Sequence, residues 1–114
     1  INSEWANFYS AMAYPGSQLH EMAKKKSWEL PESKAGPGWI GYSQHAYECL
    51  PLRTEKLKAT EVLDFRDQAF STYFNNTNYL SMIESTFGKT TSDHIKKMNS
   101  HKINRKHHKE KVNY

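Results

Sequence analysis

Six histidines and one cysteine are the residues of this 114-residue chain best suited to binding a metal or attacking a substrate. Their spacing argues against a metal. None of His20, His45, His94, His101, His107 and His108 forms an i, i+4 pair on a clear helix, and the adjacent His107 and His108 would point to different sides of one. Cys49 follows His45 by four residues, and a cysteine–histidine pair can generate a thiolate. Closeness in sequence does not make that geometry, and a free cysteine usually serves as a small buried hydrophobe. Glu61, Asp64 and Asp67 lie beside Arg66, but no second carboxylate pair repeats the spacing, so a solvated helix face is expected. The chain has no Ser–His–Asp arrangement, phosphate loop or Gly-x-Gly-x-x-Gly. No catalytic residue and no metal ligand is assigned.

The elements that would position these groups begin with residues 4–12, which are rich in rings, lack turn residues and read as a strand covered on both faces. Tyr14-Pro15-Gly16-Ser17 then turns the chain. Ser17 can cap a helix through Leu19, Met22 and Ala23 that ends in Lys24-Lys25-Lys26, which completes a βα unit. One such unit cannot satisfy the edges of its strand without neighbours. Residues 27–53 hold Pro31, Pro37 and Pro51 with Gly36, Gly38 and Gly41, and so predict a long extended connection with at most one short helical turn near Ser43–Tyr47. Trp28, Trp39, Tyr42 and Tyr47 are its expected anchors.

From residue 57 the apolar spacing becomes helical. Val62, Phe65, Ala69, Phe70 and Tyr73 share one face of a helix that should end near Asn75-Asn76. A second helix, about Thr77 to Phe87, should stop at Gly88. A third should start at Thr90 with Asp93 completing an approximate capping box and carry Ile95, Met98 and Ile103. Beyond about residue 105 the chain reads as frayed.

The net charge of +4 is distributed unevenly. Residues 96–111 contain seven of the sixteen Lys and Arg and one acid, which leaves the rest of the chain slightly acidic. A basic terminal segment of this kind could bind nucleic acid, so a small basic helical module binding nucleic acid or a protein partner is the alternative function. It carries no recognition motif, and the tail has only Tyr114, beyond this segment, as an aromatic, so a solvated charge run is expected. A single cysteine rules out an internal disulfide, and no apolar run approaches the roughly 20 residues of a membrane span. The first residues lack the pattern of a signal peptide, and a cytoplasmic setting is expected.

Two blocks carry a family likeness. The first is Trp5-Ala6-Asn7-Phe8-Tyr9 followed by Tyr14-Pro15-Gly16-Ser17. The second runs from Gly41-Tyr42-Ser43-Gln44 through Leu50-Pro51-Leu52 and continues in Val62-Leu63-x-Phe65-Arg66-Asp67-x-Ala69-Phe70 and Tyr79-Leu80-x-Met82-Ile83-x-x-x-Phe87-Gly88. Together they resemble the carboxy-terminal part of radical S-adenosylmethionine enzymes with a cobalamin-binding domain, the anaerobic magnesium-protoporphyrin monomethyl ester cyclase-like Fe-S oxidoreductases. The resemblance covers nearly the whole chain up to about residue 106. It departs from the family in having Pro-Gly-Ser where Pro-Gly-Thr is usual, and in lacking both the Cys-x-x-x-Cys-x-x-Cys motif and the cobalamin-binding segment.

The resemblance implies a carboxy-terminal fragment of an oxidoreductase or methyltransferase-like enzyme. The fragment would pack against the barrel and help close its mouth, without catalysis or a bound cofactor of its own. The parent would hold a 4Fe-4S cluster, S-adenosylmethionine and cobalamin, and its radical SAM barrel and cobalamin-binding domain would be the partners of this chain. Ala11, Ala13 and Tyr14 would approach cofactor, and Tyr42, Gln44 and His45 would line a lid over substrate.

The expected fold is mainly α, with one N-terminal βα unit from the end of a partial TIM-type barrel, a long connection and about three packed helices. The divisions are 1–26 for the βα unit, 27–56 for the connection, 57–106 for the helical extension and 107–114 for a basic disordered tail.

Overall fold

The structure, a computed structural model, describes residues 3–108. Most of the expected basic tail therefore lies outside the described residues. Among those described, four α-helices form: α1 Gln18–Lys25, α2 Ala59–Phe74, α3 Thr77–Phe87 and α4 Lys89–Ser100, with a short 3-10 helix at Trp39–Tyr42. The mainly helical fold is as the sequence predicts. The βα unit is not, because residues 4–12 form no strand and its helix stands alone. Ring-rich sequence favours a strand only where a neighbour can complete the ladder, and the described residues supply none.

The described chain divides into two compact units, one of residues 3–8 and 67–102 and the other of residues 9–66 and 103–108. The expected strand is split between them at Phe8 and Tyr9. The first unit is built from the second half of α2 with α3 and α4. Phe74, Tyr79, Ile83 and Ile95 form its buried core, with Phe8, Phe70, Tyr73, Leu80, Met82 and Met98 packed against it. The rings of Phe74 and Tyr79 meet edge to face at 5.5 Å, and Trp5 lies 4.8 Å from Phe74, tilted geometries that suit the aromatic quadrupole. Tyr79 is fully buried, and its hydroxyl donates to the Glu4 carbonyl at 2.9 Å. Asn76 caps α3 by accepting from the Tyr79 amide at 3.1 Å. Gly88 (φ +93°) separates α3 from α4, a backbone state that glycine adopts without strain. The expected capping box of α4 does not form: the helix starts one residue earlier, at Lys89, and Asp93 instead takes the Lys89 ammonium at 2.8 Å.

The second unit holds α1, the connection and the first half of α2. Ser17 caps α1 as its sequence predicts, accepting from the His20 amide at 3.1 Å. At the other end Trp28 N–H reaches the Ala23 carbonyl and Ser27 N–H the Lys24 carbonyl, a Schellman closure with Ser27 in the left-handed region at φ 52°. Leu30, Leu52, Ala13 and Ala23 form one core cluster, with Leu19 and Trp28 against it. Met12, Tyr42, Cys49 and Leu63 form another. The helical turn expected near Ser43–Tyr47 lies earlier, at Trp39–Tyr42, where Gly41 fits against Pro31 and Pro37. A Cβ on Gly36 would stand 2.3 Å from the Pro31 carbonyl oxygen, so the close folding of residues 30–38 requires glycine there. The connection is thus a packed structure of its own and not an extended strap.

Candidate functional site around Gln44 and Glu32

Gln44 reaches back to the segment before α1. Its Oε1 accepts the Ser10 amide at 2.9 Å and its Nε2 donates to the Ser10 carbonyl at 2.9 Å. A primary amide carries one donor group and one acceptor, so both ends match only in this orientation. A residue of a neighbouring antiparallel strand would make the same two-point contact, and here a side chain supplies that single rung. One residue on, the Leu52 amide donates to the Ala11 carbonyl at 3.0 Å.

The loop that carries Gln44 is held by two buried arginines. Arg105 Nη1 donates to the carbonyls of Gln44 at 2.6 Å and Ala46 at 3.1 Å, and the next amide, Lys106, donates to the Tyr47 carbonyl at 2.9 Å. Arg66 Nη2 faces His45 Nε2 at 3.2 Å. Arg66 and Arg105 are only 6% and 8% exposed, a burial a guanidinium tolerates when its donors find acceptors.

Glu32 ties the other side of the connection together. One carboxylate oxygen faces Nε2 of buried His20 and the other accepts the Tyr42 hydroxyl. Burial pushes the Glu32 carboxyl up, but the hydrogen bonds from Tyr42 and His20 outweigh it and hold the group below its ordinary value. Burial, and then the same carboxylate, hold the Tyr42 phenol well above its ordinary range. At neutral pH the pair is therefore carboxylate and neutral phenol, with the proton on tyrosine.

The six residues singled out by the family likeness all lie in this second unit. Tyr14 packs on Tyr42 with ring centroids 5.5 Å apart, and Gln44 holds the residue before Ala11. Ala11 is exposed, while Ala13 is buried among Ala23, Leu30 and Leu52. His45 packs edge-on to Tyr9 at 6.3 Å in addition to facing Arg66. Outside Tyr42, Trp39 is 72% exposed with Tyr14 and Ile40 each at 50%, an apolar patch built on rings 5.5 and 5.8 Å from the Tyr42 ring.

Ser10, Glu32 and Arg105 were not picked out by sequence reasoning, and His20 and Arg66 were considered there without the partners they have. His20 lies on α1 and Tyr42 on the 3-10 helix, twelve and ten residues from Glu32, and Arg105 is hidden in a run of like charges. The chemistry available is that of holding. Cys49 is fully buried, and no group of three or more His, Cys, Asp or Glu gathers among the described residues. The chain matches no family model, no curated protein and no solved structure.

Proposed function

We propose that this chain is the carboxy-terminal part of a radical S-adenosylmethionine Fe-S oxidoreductase or methyltransferase-like enzyme of the cobalamin-domain kind. It packs against the barrel and helps close the active-site mouth, and it does not catalyse alone. The observation that carries this reading is the Ser10 peptide group, paired at both ends by the Gln44 amide in the manner of one strand residue beside another. A segment fitted for a strand neighbour, in a sequence that resembles the last strand and turn of such a barrel, suits a chain completed by other parts of a longer polypeptide. The exposed Trp39, Tyr14 and Ile40 patch gives the remainder of the parent an apolar surface to cover.

In this reading the partners are the radical SAM barrel and the cobalamin-binding domain of the same polypeptide. The 4Fe-4S cluster would supply the electron that splits S-adenosylmethionine, and none of its ligands comes from this chain. Ala11 and Tyr14, with the backbone at Ala13, lie at the mouth. Tyr42, Gln44 and His45 form the lid behind them, and their hydrogen bonds set its shape. The coding sequence upstream tests the proposal. It should continue in frame into a Cys-x-x-x-Cys-x-x-Cys motif, and a frame without that motif would overturn the reading.

A further inference from the structure

Arg105 belongs by sequence to the basic run of residues 96–111, yet it is 8% exposed and its guanidinium is turned inward. It donates to two carbonyls of one loop, those of Gln44 and Ala46. From that loop the Gln44 side chain in turn clasps the peptide of Ser10 by both ends. The following Lys106 amide fastens the same loop again at the Tyr47 carbonyl, 2.9 Å away. The contacts therefore form a chain: guanidinium to loop backbone, loop side chain to the backbone of Ser10, and Ser10 to the residues leading into Tyr14. A guanidinium is a fixed planar fork, so two carbonyls bound to one nitrogen have little freedom relative to each other. A lysine on its flexible stem would not hold them so firmly.

We propose that Arg105 is a positioning residue that sets the backbone at Ser10, and through it Ala11 to Tyr14, by fixing the Gln44 loop. The assignment gives one member of the basic run a task that solvated charge cannot perform. Its consequence for the mouth of an active site rests on the function proposed above; the coupling itself is a property of this chain.

Amide hydrogen exchange on the full chain tests it, read at Ser10 and, as an internal control, at Ile83 in α3. Gln44→Ala and Arg105→Met should each speed Ser10 exchange by about tenfold or more and leave Ile83 within about twofold. The double variant should exchange at Ser10 as Gln44→Ala alone does, because residues acting in series are not additive. Arg105→Lys should recover part of the protection, and it carries the same comparison with Gln44→Ala should Arg105→Met fail to fold. Unchanged Ser10 exchange in the Arg105 variant, or single effects that multiply in the double variant, would overturn the relay. Either result leaves the parent-enzyme reading standing, whereas an upstream frame without the three cysteines removes that reading and leaves the relay intact.

Discussion

Glu32 is where single-residue chemistry matters most. Burial pushes its carboxyl up, but the hydrogen bonds from Tyr42 and His20 outweigh that effect and hold it below its ordinary value. A carboxylate depressed in the folded state stabilises fully above its unfolded value and loses that contribution as pH falls through the folded value. Glu32→Gln should therefore lower stability at pH 7 by ~1 kcal/mol, a figure reduced because the side chain is a third exposed. The two proteins should converge as the pH falls through the depressed folded value, and urea denaturation at neutral and acid pH checks this. Tyr42 was legible as a ring anchoring a proline-rich connection, whereas Gln44 was named only through the family likeness, as a lid residue. Glu32 was not, since its partners, His20 on α1 and Tyr42 on the 3-10 helix, share no period with it that would mark the pairing. Arg105 was misread as solvated because a charge run looks the same whether one member turns inward or none does.

Helix ends follow local rules and were the most legible elements. Ser17 and Asn76 cap α1 and α3 through their side-chain oxygens, and replacing Asn76 with Ala should cost ~1 kcal/mol in denaturant unfolding of the first unit. The closing turn of α1 carries a local cost of the opposite kind. Ser27 occupies the left-handed position that glycine takes without a Cβ penalty, so Ser27→Gly should stabilise by up to ~1 kcal/mol, read as a rise in midpoint with an unchanged slope. The third helix start was mislocated because Gly88 can begin α4 with no side-chain cap, which frees Asp93 to pair with Lys89. The strand over residues 4–12 failed for a non-local reason. A ring-rich run signals apolar surface, not what covers it, and here Trp5 and Tyr9 are exposed while Phe8 packs with Tyr73 at 5.6 Å and Met12 joins Tyr42, Cys49 and Leu63.

Over the whole molecule, the helical content was readable from period and caps, but the two-unit division was not. Residues 3–8 join a core built from α2, α3 and α4 many residues later, and residues 103–108 return to the unit that begins at Tyr9. Such long-range pairings leave no trace in a window of sequence. No described helix is long and apolar enough to cross a membrane. The central claim is that this chain is one part of a cluster-bearing enzyme. It is tested most directly by isolating the natural polypeptide that contains residues 39–52 and measuring its iron and sulfide, together with 5′-deoxyadenosine formed from S-adenosylmethionine on reduction. Iron, sulfide and deoxyadenosine in a polypeptide longer than this chain are the predicted result; a natural product with none of the three would contradict it.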